Sequence, residues 1–293
     1  MGPERKTEHE TEHRTEHKAD QKSAPPLYLV TGANAGIGYE IARGLAKAAG
    51  KPRVILAVRD RAKGESARAK ISAETGNPNL EVLVVDLASH KSIRNAANEF
   101  SKTHAVLDVL INNAGISSPT RHESPDGIEL TFATNVVGYF LLTNLLLDAL
   151  SRAPAGRLVN VASEMAYGLD LDDVEFKKRT YNPSTAYAQS KQANRMLTWA
   201  YARRFEGTQI TANAMSPGPV DTPLLHSLSP GMKGRTTEKG AETVVWLATS
   251  PEVAGLSNRL WFDRAERVCK FHNPEQEEKL WSICGELSAK GKA

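Results

Sequence analysis

From Leu27 onward, short runs of apolar and β-branched residues alternate with longer stretches of helical periodicity. The runs LYLVT (27–31), RVILAV (53–58), LEVLVVD (80–86), VLDVLINN (106–113), GRLVNVAS (156–163), QITANAMS (209–216) and a last one near 258–262 predict strands. After the first strand, YEIARGLAKAAG reads as a helix closed by Gly50 as its C-cap. Further helices are predicted at about 61–75, 89–104, 126–150, 185–206 and 238–249. The final PEQEEKLWSICGELSAK reads as a terminal helix packing Leu280, Trp281 and Cys284. Strands of near-continuous Val, Ile and Leu, each followed by a helix, imply a parallel sheet covered on both faces. The right-handed crossover rule makes this an α/β, doubly wound sheet. No linker interrupts 27–262, so residues 25–293 are expected to form one domain.

Residues 1–24 differ. TEHE, TEHR and TEHK repeat a four-residue unit over 7–18, six acidic and five basic side chains are interspersed over 1–24, and no large apolar residue follows Met1. Such a stretch buries too little apolar surface to offset its ordering entropy, which predicts a disordered low-complexity tail. Within it HETEH (9–13) matches the H-E-x-x-H zinc-protease signature. A catalytic zinc site needs a third ligand and a shaped, dry cavity, and a solvated repeat supplies neither, so no metal site is expected.

Composition narrows the function classes. The chain of 293 residues is 24% charged and 40% hydrophobic with a net charge of +3, and no dense basic stripe argues for nucleic-acid binding. Two cysteines, Cys269 and Cys284, make no disulfide framework, which suits a reducing, cytoplasmic setting. No run approaches the ~20 apolar residues of a membrane span. The longest candidate, 136–150, carries Asn144 and Asp148 and reads as a buried core helix, and the N-terminus lacks the apolar region of a secretory signal. A soluble protein is expected.

The candidate chemistry begins at TGANAGIG (31–38). Gly32, Gly36 and Gly38 follow a strand and open a helix, where glycines let the backbone approach a pyrophosphate on the helix N-terminus. The spacing is G-x-x-x-G-x-G. At the end of the second strand, Val58 stands where a carboxylate would bind a ribose 2′-hydroxyl, and Arg59 follows. A guanidinium suits a 2′-phosphate, so NADP is preferred over NAD. Downstream, Tyr187 and Lys191 share one helix face, and Ser163 lies just past a strand end, where α/β folds place ligands. A phenol of pKa ~10 is a poor base unless a cation such as Lys191 favours its phenolate.

Taken in order, TGANAGIG, Asp86-Leu87, NNAG (112–115), Asn135, Ser163, YAQSK (187–191) and PGPVDT (217–222) resemble the short-chain dehydrogenase/reductase family, which has a Rossmann fold. AVRD after the second strand, the long stretch between Ser163 and Tyr187, and SKQAN after the tyrosine resemble its retinol-dehydrogenase-like subgroup, although the polar tail differs from the membrane anchor of many such enzymes. The resemblance implies a catalytic set of Asn135, Ser163, Tyr187 and Lys191. Ser163 would hold the substrate oxygen, Tyr187 deliver the proton, Lys191 also reach the nicotinamide ribose, and Asn135 interrupt its helix and hold a water for Lys191. It also implies cofactor contacts from Gly32, Asn34, Gly36, Ile37 and Gly38, from Asp86 and Leu87, and from Asn113, Ala114 and Gly115. Pro217, Gly218, Val220 and Thr222 would hold the carboxamide end.

These readings predict an NADP(H)-dependent carbonyl reductase or alcohol dehydrogenase. Its substrate would lie between 165–183 and the segment LLHSLSPGMKGR, where Leu224, Leu225, Leu228 and Met232 suggest an apolar lid and Gly231 and Gly234 its hinges. That favours a bulky hydrophobic ketone or aldehyde. Two other readings are a non-catalytic NADP-binding sensor or interaction protein, and a nucleotide-sugar epimerase-like enzyme. By the resemblance, helices 126–150 and 185–206 would pair in a homodimer or homotetramer.

Overall fold

A computed structural model describes Gly2 and residues 24–290, so the tail and its HETEH motif lie outside the described residues. In chain order the elements are β1 (Leu27–Thr31), α1 (Gly36–Ala46), β2 (Arg53–Val58), α2 (Arg61–Thr75), β3 (Leu80–Val84), α3 (His90–Thr103) and β4 (Val109–Asn112). There follow a single turn α4 (Leu130–Phe132), a π-helical turn at Ala133–Val137, α5 (Gly138–Ser151), β5 (Arg157–Val161), α6 (Pro183–Arg204) and β6 (Thr211–Met215). The chain closes with α7 (Pro223–Leu228), α8 (Thr237–Thr249), a 3-10 turn at Pro251–Val253, β7 (Arg259–Phe262), β8 (Ala265–Arg267) and α9 (Pro274–Ala289).

The strands form one sheet in the order β3-β2-β1-β4-β5-β6-β7-β8, parallel except for β8. Side-chain alternation divides β1 between two cores: Leu27 and Leu29 face α3, α5, α6 and α9, while Tyr28 and Val30 face α1, α2 and α8. This is the expected doubly wound Rossmann sheet. Strand order reverses between β1 and β4, which opens a crevice at their C-terminal ends.

Local chemistry sets the helix boundaries. Asp60, Ser89, Asn182, Thr236 and Asn273 each accept a hydrogen bond from the first turn of the helix they cap, and Pro183 and Pro274 start their helices. The C-cap of α1 is Lys47; Gly50, at φ +83°, sits in the turn beyond it. The helix expected from 126 begins only at Leu130, because Gly127 turns the chain at φ +69° and the buried Glu129 accepts from Thr131 N and Phe132 N at 2.9 and 2.7 Å. Residues 165–182 form no helix or strand, but Asp173 gathers the backbone amides of Lys177, Lys178 and Arg179.

Residues Leu130–Ser151 are long and apolar enough to cross a membrane, and 78% of the most apolar window is buried in the fold. Outside α5 and α6 lies α9. Leu280 and Cys284 are fully buried, and Trp281 meets Phe140 and Tyr201 edge-on at 4.8 Å each. The chain's own terminal helix bridges α5 and α6, the two helices expected to pair with a second copy.

Candidate active site

The crevice is a cleft of about 480 Å³ lined by the ends of β1, β2, β4 and β5, the start of α1, and residues of α6 and the β6–α7 loop. Its floor is a hydrogen-bonded brace. Thr31 Oγ1 accepts from the backbone amides of Asn113 and Ala114 at 2.9 and 3.0 Å, and Asn113 Nδ2 donates to Thr31 O at 2.9 Å. The brace holds the two strand ends together and sets the turn at Gly32.

Glycine is needed in that turn for two different reasons. A Cβ on Gly38 would run into the Gly32 carbonyl and lie 2.6 Å from Asn113 Nδ2, so this glycine permits close packing. Gly36 has φ +56°, and its nearest neighbour across the open side is Thr222 Cγ2 at 3.6 Å, so it leaves the mouth of the helix clear. Unlike the helices capped above, α1 has no side-chain cap: Ala35 offers none to the first-turn N–H groups. An uncapped helix start behind a glycine turn, opening into a cleft, suits a dinucleotide pyrophosphate.

At the adenosine end, Val58 is buried and Arg59 is exposed on the cleft wall. The nearby carboxylate of Asp60 is engaged as the α2 cap, accepting from Lys63 N at 3.1 Å. The exposed side chain of Lys63 joins Arg59 on the wall. Sequence reading missed Lys63, which sits in a polar helix where a lysine reads as solvent-facing. Asp86 lines the cleft while accepting from Ala88 N at 3.0 Å, and Leu87 lines it beside Asp86.

Asn34, Ile37, Gly115, Pro217 and Thr222 also line the cleft, as expected. Gly218 and Val220 do not. A Cβ on Gly218 would face Phe262 and Arg235, and Val220 is buried against Gly240, so both shape the loop from behind.

The catalytic candidates meet on the opposite wall. Tyr187 and Lys191 lie one turn apart on α6, with Lys191 Nζ 5.7 Å from the centre of the Tyr187 ring. Lys191 Nζ donates to Val161 O at 2.8 Å, and burial lowers its pKa to about 7. Burial pushes the Tyr187 phenol up to about 12, opposed by a hydrogen bond with Ser163. The expected lowering of the phenol by Lys191 therefore does not emerge: withdrawal from water dominates. Ser163 Oγ also accepts from Met165 N at 3.1 Å, which orients it at the start of the 165–183 stretch.

Asn135 occupies the π-helical turn, in keeping with its expected interruption of the helix. It is fully buried behind the cleft; its Nδ2 donates to Ile116 O and Ser190 Oγ, and its Oδ1 accepts from Ile116 N at 2.9 Å. A Cβ on Gly115 would lie 3.5 Å from Lys191 Nζ and 3.7 Å from Asn135 Oδ1, so both atoms face the same small space. Oδ1, with one acceptor position used by Ile116 N, keeps a second for the water-holding role implied by the resemblance. Tyr139 donates to Ala114 O and closes this region from α5.

The lid residues are not core. Every residue of α7 is at least partly exposed, Leu224 lines the cleft, and Met232 is 46% exposed. Gly231 has φ +80° and an open surround, but Gly234 is not a hinge: a Cβ there would strike the backbone of Val220 and Asp221. It is a close-packing position beside the bridge between Val220 and Arg235.

A parallel sheet with a glycine turn at its switch point and a Ser-Tyr-Lys wall defines an oxidoreductase of the dinucleotide-binding kind. Residues 27–233 match the short-chain dehydrogenase family model, and the chain belongs to that family, in its retinol-dehydrogenase-like subgroup. Among curated relatives it is similar to human retinol dehydrogenase 13, at 37% identity over 88% of this chain and 83% of the relative. Human polyprenol dehydrogenase is 35% identical over 89% and 84% of the two chains. Among solved structures, an uncharacterised protein from Mycobacterium paratuberculosis superimposes with a TM-score of 0.75 and 30% identity, over 91% of this chain and 94% of the other. The family acts on CH–OH groups with a nicotinamide cofactor.

Proposed function

We propose that this chain is an NADP(H)-dependent reductase of bulky hydrophobic ketones or aldehydes, working in reverse as an alcohol dehydrogenase. The observation that carries the reading is the pairing of two walls across one cleft: Arg59 and Lys63 at one end, and Ser163, Tyr187 and Lys191 at the other. Two cations beside a buried valine suit a 2′-phosphate, which NADP has and NAD lacks. The uncapped start of α1 would hold the pyrophosphate, Asp86 the adenine side, and Pro217 with Thr222 the carboxamide end. Bound there, the cofactor supplies the hydride.

The protein's part is orientation and a proton. Ser163 holds the substrate oxygen, and Tyr187, a phenol protonated at neutral pH and kept so more firmly by burial, donates to that oxygen as hydride arrives at carbon. Against the burial that dominates the phenol, the charged fraction of Lys191, whose pKa is near 7, would offset part of the cost of the phenolate left behind. Partly exposed leucines in α7, with Leu224 on the cleft wall, supply apolar surface beside it. Relatives named for retinol and polyprenol support a long apolar substrate.

The test is cofactor consumption, followed by absorbance, against carbonyl compounds from small aldehydes to retinal and polycyclic ketones. Tyr187→Phe should bind NADPH yet lose turnover by at least about a hundredfold. Arg59→Leu with Lys63→Leu should cut the preference for NADPH over NADH by about tenfold or more. A wild-type enzyme faster with NADH, or a Tyr187→Phe variant of unchanged rate, would refute the reading.

A further inference from the structure

The face of α6 that carries Tyr187 and Lys191 continues one turn further to Arg195, a basic side chain only 8% exposed. Burying a guanidinium has a large desolvation cost unless its donors are engaged. Arg195 Nη2 donates to the main-chain carbonyl of Ser163, and a hydrogen bond with the Cys269 side chain also engages the guanidinium. Its Nε finds no partner in the protein. Around it lie the C-terminal segment, with the Phe271 ring centre 5.8 Å from its Cζ and Cys269 close by, and Glu164 within electrostatic reach. Burial lowers the pKa of Arg195 from its ordinary value, while Cys269 and Glu164 act to raise it.

We infer that Arg195 is a positioning residue for the reaction: by gripping the carbonyl of Ser163 from the helix that bears Tyr187 and Lys191, it fixes the Ser163 hydroxyl against the Tyr187 phenol and the substrate oxygen. The inference rests on the reductase reading proposed above. Ser163 follows the last residues of β5, and the chain beyond it enters 165–182, which has no regular structure to hold it. The ladder that fixes β5 ends at Val161. The remaining ties are the Ala162 N–H bond to Met215 O at 2.8 Å, the Met165 N–H bond to Ser163 Oγ at 3.1 Å and the grip of Arg195 on the Ser163 carbonyl. Because the guanidinium packs against Phe271 and Cys269, the segment between β8 and α9 becomes an outer wall of the active site.

A bulk structural role and a positioning role differ in one measurable respect. If Arg195 acts through Ser163, removing the Ser163 hydroxyl first should leave it nothing to position. Four full-length proteins are compared on the carbonyl compound that the wild type reduces fastest: Arg195→Met, Arg195→Lys, Ser163→Ala and the double variant Arg195→Met/Ser163→Ala. Arg195→Met should lower kcat about tenfold to a hundredfold, the size of effect expected from an ångström-scale misplacement, with NADPH affinity by fluorescence within about twofold of wild type. Arg195→Lys, which keeps a cationic donor, should recover part of the rate. The double variant should be no slower than Ser163→Ala.

The pH profile gives a second readout. The Ser163 hydrogen bond lowers the Tyr187 pKa, so loosening it raises that pKa. In alcohol oxidation, where Tyr187 must act as a base, the rising limb should move to higher pH in both Arg195→Met and Ser163→Ala. Multiplicative losses in the double variant, or an unshifted limb, would overturn the inference, as would a full rate in Arg195→Met beside an inactive Tyr187→Phe. A wild type that reduces nothing in the panel would instead remove the reductase reading, and this inference with it.

Discussion

An amine withdrawn from water is held neutral more easily than a surface one, and Lys191 is such an amine, its pKa lowered to about 7 by burial. Unfolded, the same lysine titrates near pH ~10.4. Between these values the unfolded chain binds a proton that the folded chain does not, so this group's contribution to stability rises with pH, by up to about 1.4 kcal/mol per pH unit. Below about pH 7 both states are protonated and the destabilisation is complete. Lys191→Met removes the penalty but leaves Val161 O without its donor, a loss of about 1–3 kcal/mol. The variant, inactive as a reductase, should therefore gain Tm relative to wild type most at pH 6–7 and progressively less toward pH 10. A difference in Tm that does not change with pH would mean that Lys191 stays charged in the fold. Tyr187, Lys191 and Arg59 were legible in the sequence because their meaning lies in local spacing: a pair one helix turn apart, and a strand end. Lys63, Arg195 and Tyr139 were not, since what marks them is a partner or a wall brought up by a distant segment.

At the scale of elements, the turn from β1 into α1 tests why two glycines of one motif differ. Gly38→Ala sets a methyl against the Gly32 carbonyl and the Asn113 amide, atoms held by the brace to Thr31. The clash should destabilise the protein by about 1–3 kcal/mol and distort the cofactor turn as well. Gly36→Ala meets no such obstacle; its cost is the left-handed backbone, about 1–2 kcal/mol, and a methyl projecting at the helix mouth. Thermal melts with NADPH titrations separate them: Gly38→Ala should lose Tm with or without cofactor, whereas Gly36→Ala should lose mainly the stabilisation that NADPH brings. The strands and long helices were readable because burial on both sheet faces writes continuous apolar runs. The start of α4 was misplaced because Glu129, an acidic residue in an amphipathic pattern, acts as a buried cap. Two elements went unread: β8, where Ala-Glu-Arg is wholly exposed and carries no pattern, and α7, six residues announced only by the Thr222 cap and Pro223.

The whole molecule turns on what α9 covers. Helices α5 and α6 carry the residues that reach the active site from one side of the sheet, and their outer surface meets Leu280, Trp281 and Cys284 of α9. An ionic clasp holds the helix from outside: Arg203 bonds Glu277 and Glu278, Arg204 bonds Glu278, and the Arg204 guanidinium stacks on Trp281 at 3.6 Å. The two arginines hold the Glu278 carboxyl down at about 2. Because that folded-state pKa is depressed, the clasp's contribution is present above about pH 4.5 and is lost as pH falls toward 2, though surface exposure keeps it modest. Apolar burial contributes more: Leu280 is fully buried, and Leu280→Ala should cost about 2–5 kcal/mol. With α9 seated on that surface, the chain is expected to sediment as a single 31.9 kDa species at micromolar concentration. Leu280→Asp places an uncompensated charge in that contact and should release α9, exposing Phe140 and Tyr201. The expected result is a loss of Tm together with concentration-dependent association. A wild-type chain that sediments as a dimer, with Leu280→Asp shifting it toward monomer, would reverse the assignment and make α9 part of the subunit interface rather than its replacement.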